Sequence, residues 1–273
     1  MRTYYEHHLN ILQDKLCPVH HIDFHTVRSC VYNWHQNIEV IRFCKDCTLQ
    51  CGDREYAMHA GDMAVVNANA LHRMYAEEVP HFYTLIIDES FCKENGIHTD
   101  KLCFTTAFRD AECFSLHEQV SEAFLHYRET GASLDAARLR IALLRLLVHL
   151  QEFHTESVEN TTYENSPAEE YVKTVILYLN EHYTQDISLD DLAQICGVTK
   201  YHLIREFKRY TNQTILTFLN SLRCKNAEVH LKQGRSVTET AELCGFESVA
   251  YFSRTYKKYM DISPSGVKQK PST

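Results

Sequence analysis

The sequence predicts two domains: a mainly β N-terminal half that ends in helices, and an all-α C-terminal half built from a duplicated two-helix unit. Three observations carry this. Short alternating apolar runs occupy residues 20–88, helical spacing takes over from about 111 to 154, and a motif at Ser188 returns 48 to 49 positions later. A chain of 273 residues is long enough for two cores, and 44% hydrophobic against 23% charged residues suits a folded protein.

In the N-terminal half the β runs are IEVIRF, TLQC, REYAMH, MAVVN and FYTLII. Lys45-Asp46, Gly52-Asp53 and Gly61-Asp62 separate them as tight-turn signals, so an antiparallel sandwich or barrel is expected. Between 111 and 154 two helical stripes run side by side. One holds Leu134, Ala137, Ile141, Leu144 and Val148, the other Leu139, Leu143, Leu146 and Leu150. One stripe can pack on its own domain and the other on a partner subunit; burial of both is the alternative. The partner-facing role, in a homodimer, is assigned to Leu139, Leu143, Leu146 and Leu150.

Residues 155–168, TESVENTTYENSPA, are polar and lack an apolar period. They are expected to link a domain at 1–154 to one at 169–273. Charge divides along the same line. Residues 169–273 carry 14 Lys and Arg against 12 Asp and Glu, whereas 1–168 carry 14 against 24. The net charge of −8 therefore belongs to the N-terminal half, and the C-terminal half can approach phosphates. The opening MRTYYEHHLN has no apolar core of a signal peptide, and no run of about 18 apolar residues follows. A cytoplasmic protein without a membrane partner is expected, its 11 cysteines reduced thiols.

The repeat sets SLDDLAQICGV at Ser188 against SVTETAELCGF at Ser236, within units spanning 188–210 and 236–259. Ser188 or Ser236 can cap a first helix, with an acid three residues on. Gly197 or Gly245 follows, where a helix end needs left-handed backbone. Thr199 or Ser248 then caps a second helix. In that helix Leu203, Phe207 and Tyr210, or Phe252, Tyr256 and Tyr259, share an apolar face expected to be core. The other face carries Tyr201, Arg205 and Lys208 in the first unit and Ala250, Arg254 and Lys257 in the second. Arginine suits bidentate contact to guanine and lysine suits phosphate. Residues 214–233 read as one long helix that sets the separation of the units.

Residues 169–273 resemble the AraC/XylS family of bacterial transcription regulators. GVTKYHLIREFKRYTN (197–212), SLRCKNAEVHL (221–231) and CGFESVAYFSRTYKKYMDISPSGVK (244–268) carry the resemblance. It implies a tandem helix-turn-helix domain. The first reading helix would start near Thr199 and offer Lys200, Tyr201, Ile204 and Arg205. The second, from Ser248, would offer Val249, Ala250, Tyr251 and Arg254. Ile204, Val249 and Ala250 depart from the polar residues often found there and would read thymine methyls or shape, or contribute little. Because the first unit's face is fully polar, Tyr201 and Arg205 are expected to discriminate bases more than their counterparts.

The N-terminal half resembles the family's cupin-like sensor barrel. A metal-binding cupin would place ligands at Asn33, His35, Glu39 and His72, and Asn33 stands where the first histidine would be. No metal and no cofactor is expected; His35, Glu39 and His72 would line the barrel mouth beside an effector pocket or satisfy hydrogen bonds. Cys44, Cys47 and Cys51 lack a second CxxC and are expected to be packed thiols, while His7, His8, His20, His21 and His25 show no metal-site spacing. The resemblance implies a DNA-binding activator in the bacterial cytoplasm. Its implied partners are operator DNA, a second copy, a small-molecule effector and RNA polymerase. The alternatives are a metal-dependent cupin enzyme fused to a DNA-binding domain and a ligand-independent regulator.

Overall fold

The computed structural model describes residues 16–25, 32–99, 101–156 and 167–267. It divides into two units, residues 1–166 and 167–273. Of the expected linker, Thr155 and Glu156 pair as a strand of the first unit, 157–166 lie outside the described residues, and Pro167 starts a helix. His7 and His8 also lie outside them.

The first unit is built on a five-stranded antiparallel sheet in the order β1-β7-β2-β5-β9. Its strands are β1 (Val19–Phe24), β2 (Ile38–Phe43), β5 (Met63–Val66), β7 (Phe82–Ile87) and β9 (Ala107–Phe108). β3 (Cys47–Cys51), β4 (Arg54–Met58) and β6 (His72–Tyr75) form a second sheet in the order β4-β3-β6. A third pairing joins β8 (Cys103–Phe104) to β10 (Thr155–Glu156). Strand alternation assigns the faces. Ile41, Phe43, Ala64, Val66 and Phe82 pack with Leu49, Met58 and Met74 of the small sheet. Val19, Ile38, Val40, Met63, Val65, Leu85 and Ile87 pack with the helices. Both faces of β2 are covered, and four of its six residues are apolar, Glu39 and Arg42 being the exceptions. The sheets stack as layers, and among the described residues they do not close into the expected barrel.

The helical stretch is a hairpin of two helices. After the short α1 (Glu89–Glu94), α2 (Ala111–Thr130) ends at Gly131, and α3 (Ser133–Phe153) returns along it. Here the expected partner-facing stripe is corrected. Leu139, Leu143, Leu146 and Leu150 are fully buried in the unit's own core, against α2 and the sheet. Leu134, Ile141 and Val148 stand out instead, 61%, 60% and 48% exposed. Both stripes have helical spacing, and the sheet claimed the all-leucine one.

The second unit is all helical: α4 (Pro167–His182), α5 (Leu189–Cys196), α6 (Lys200–Thr211), α7 (Ile215–Lys232), α8 (Val237–Leu243) and α9 (Val249–Met260). Each paired helix has its expected punctuation. Ser188 and Ser236 cap α5 and α8, with a full capping box only at Ser236 and Glu239. Thr199 and Ser248 cap α6 and α9 by accepting from the amides of His202 and Tyr251. α4 packs on α5 and α6, while α7 packs on α8 and α9 and also touches α6.

α7 also carries a clamp. The Arg223 side chain, 8% exposed as a residue, donates from Nε to Tyr183 O at 2.7 Å and from Nη2 to Gln185 O at 2.8 Å, just past the end of α4. Its guanidinium lies 5.7 Å from the Phe246 ring centre, in the turn of the second pair.

Candidate nucleic-acid interface

In both pairs the second helix buries one face and leaves the other bare. Leu203, Phe207 and Tyr210 of α6 are buried, as are Phe252 and Tyr256 of α9, with Tyr259 half-buried. Phe207 meets Phe218 of α7 edge-on, ring centres 5.6 Å apart. Facing away are Tyr201, Arg205 and Lys208 on α6 and Val249, Ala250, Tyr251, Arg254 and Lys257 on α9; Lys200 and Ile204 are half-exposed. A helix held by its apolar face, with its capped N-terminal turns outward, can enter a major groove.

The two faces differ in how tightly their cations are held. Arg205 donates from Nε to Glu206 Oε1 at 2.9 Å, and its Nη2 lies 3.0 Å from His202 Nδ1. The carboxylate of Glu206, almost buried, also pairs with Arg209 at 2.8 Å. Lys200 bonds Asp190 at 2.9 Å. On α9, by contrast, Arg254 and Lys257 form no ion pair among the described residues. Tyr201 is 83% exposed, whereas Tyr251 is 38% exposed and accepts a 2.9 Å hydrogen bond from Asn220 of α7. The polar face of the first pair is thus partly engaged in its own ion pairs, and the sparser second face presents its arginine free.

In the first unit the structure brings together the predicted trio of His35, Glu39 and His72. His35 Nε2 lies 2.7 Å and His72 Nε2 3.4 Å from the same Glu39 Oε1, all three nearly buried. Each ring turns Nδ1 to a backbone carbonyl, Asn37 O and Ala70 O, at 2.9 Å. Burial alone would raise the Glu39 carboxyl, but the charge of His72 and the bonds from both rings hold it well below the usual carboxylate range. With Nδ1 donating, each Nε2 needs either its own proton or a cation beside Oε1. Two imidazole nitrogens and one carboxylate oxygen are a donor set that fits a divalent metal. Asn33 exchanges two backbone hydrogen bonds with His72 at 2.9 Å. The expected packed thiols are in place: Cys47 and Cys51 are buried, Cys44 is half-buried, and burial pushes Cys47 up to about 11.

A further cluster escaped the sequence reading. His149 and His154 both reach Asp110 Oδ2, at 2.7 and 2.8 Å. The two histidines sit five residues apart at a helix end, a weak signal, and their carboxylate partner is 39 and 44 positions away.

The fold, the capped second helix of each pair and its bare face define the class. Residues 192–270 match the family described as a helix-turn-helix domain, and the C-terminal unit is such a domain, of the AraC type. The chain is 27% identical over 213 residues to the uncharacterized HTH-type transcriptional regulator YbfI of Bacillus subtilis (strain 168), covering 74% of each. It is 35% identical over 98 residues to an uncharacterized HTH-type transcriptional regulator in the cgkA 5' region of Pseudoalteromonas carrageenovora. That match takes in 36% of this chain and 58% of the relative, little more than half its length. Among solved structures, ToxT from Vibrio cholerae aligns over 91% of this chain and 97% of its own, at 14% identity and a TM-score of 0.44. No described helix is long and apolar enough to cross a membrane.

Proposed function

We propose that this chain is a sequence-specific transcription activator of the bacterial cytoplasm, with α6 and α9 as its two reading helices. One observation carries the reading: each helix is fixed by a buried apolar face while Tyr201, Arg205 and Lys208, or Ala250, Arg254 and Lys257, face outward. Thr199 and Ser248 set the helix starts, and Lys200, Ile204, Val249 and Tyr251 flank the base-reading positions. The first unit senses a small-molecule effector and supports a homodimer, with RNA polymerase contacted from the bound operator. The self-interface is the exposed stripe of Leu134, Ile141 and Val148 on α3.

Selection of bound duplexes from a random pool, followed by affinity at fixed salt, tests this. Arg205→Ala and Arg254→Ala are each expected to weaken the selected site by about 1–3 kcal/mol and to relax preference at one base pair. Full retention of affinity and preference by both variants would show that α6 and α9 are not the readers. A second reading, a metal-dependent enzyme fused to the DNA-binding unit, is favoured only by the convergence of His35, Glu39 and His72 on one point. Turnover that depends on added metal would support it.

A further inference from the structure

Asp110, His149 and His154 stand apart from both sites described above, at the chain's exit from the first unit. We propose that they form a binding site for a divalent transition-metal ion of the zinc type, with Asp110 Oδ2 and the two Nε2 atoms as ligands. The three donor atoms lie within 4.8 Å of one another. Each comes from a fixed position. Asp110 caps α2, and its Oδ1 accepts from the amides of Glu112 and Cys113 at 2.8 and 3.1 Å, which aims Oδ2 at the histidines. His149 lies just before the last turn of α3 and His154 is that helix's C-cap. The His154 ring stacks on Phe108, centres 3.8 Å apart. Backbone amides on the far carboxylate oxygen are the kind of outer support that orients a metal ligand.

The charge around the cluster favours a cation. Glu112 and Glu152 line the same groove as His149, a cavity of about 530 Å³ between α2 and α3, and Arg145 is the cation that lines it with them. The side chains of Asp110 and His154 are 20% and 13% exposed, which leaves a narrow approach for an ion and for water as a fourth ligand. Ligation needs a small adjustment. Ligand atoms about 2.0 Å from a tetrahedral ion stand about 3.3 Å apart, so each ring withdraws by about half an ångström. Each Nε2 binds the metal through a lone pair free of a proton, so ligation replaces its hydrogen bond to Asp110.

The test uses the full chain, stripped with a chelator and titrated with zinc against a chromophoric competitor. Cobalt substitution supplies a visible spectrum that reports imidazole ligation. Wild type is expected to bind zinc, and His154→Ala and Asp110→Asn are each expected to lose one equivalent or at least about 100-fold in affinity. That exceeds the ~10–100-fold that loss of a supporting partner costs. Asparagine keeps the helix cap, so the Asp110→Asn protein folds. His72→Ala, in the buried trio, is expected to leave this equivalent in place. Wild-type stoichiometry and affinity in both folded variants would overturn the proposal, as would a wild-type protein that yields all its zinc to the competitor.

Discussion

Gly197 and Gly245 hold equivalent places in the two helix pairs, yet alanine is expected to cost far more at the second. Both have left-handed backbone, φ +66° and +73°. That conformation costs a residue with a Cβ about 1 kcal/mol or somewhat more. At Gly197 nothing lies within 4 Å of the added carbon, so the cost ends there. At Gly245 the new Cβ would fall 2.5 Å from Thr184 O, 2.7 Å from its carbonyl carbon and 2.9 Å from its Cα. These are backbone atoms that no rotamer change can move aside. Forcing the 183–186 segment outward adds about 1–3 kcal/mol, the usual range for overpacking. The expected losses are about 1 kcal/mol for Gly197→Ala and about 3 kcal/mol for Gly245→Ala. In a unit of this size they correspond to falls of about 5 and about 15 °C in melting temperature. Helical circular dichroism reports on both units, since α2 and α3 are helical too, while the single tryptophan, Trp34, reports on the first alone, so a helical transition without a fluorescence change belongs to the second unit. Equal shifts for the two variants would refute the argument, since they would mean that Thr184 gives way freely.

Leu139→Ala, fully buried, is expected to cost the first unit about 2–5 kcal/mol in denaturant, whereas Ile141→Ser should stay within about 0.5 kcal/mol and lower dimer content in sedimentation. An unchanged dimer would move the self-interface off α3. Burial, helped by the charge of Arg42, pushes His117 down to about 3, so the folded state refuses a proton that the unfolded chain accepts below about 6.5. Its effect is absent above that pH and grows as pH falls, reaching about 2 kcal/mol of lost stability at pH 5. His117→Gln should flatten that limb, read by Trp34 fluorescence; an identical pH slope in the variant would acquit His117. Lys208→Ala and Lys257→Ala should each reduce the salt dependence of DNA affinity by about one phosphate contact without changing base preference. An unchanged salt slope would place them off the backbone.

The second unit was legible because its grammar is local and stated twice. Ser, Gly and Ser or Thr fall at helix boundaries whatever surrounds them, and the structure uses each as a cap or a left-handed stop. The first unit depends on long-range pairing. β6, His72–Tyr75, has too few residues and too mixed a pattern to announce itself, and it exists because β3 pairs with it. The two stripes of α3 are equally periodic, so only the sheet's position decides which is core. His35, Glu39 and His72 were pointed to by the resemblance to a cupin motif; Asp110 and its histidines were not, because only the fold of α2 against α3 brings them together.

If α6 reads DNA as proposed, Glu206 gives it an internal competitor. Before Arg205 can reach a base it must give up Glu206, leaving that carboxylate to Arg209. A base that offers less than Glu206 does leaves the arginine where it is. The contact therefore forms above a threshold, and near-cognate sites are penalised relative to an arginine that starts in water. Arg254 starts there. On that reading Arg254 engages its base without first breaking an ion pair, while Arg205 withholds its grip until the right edge is presented.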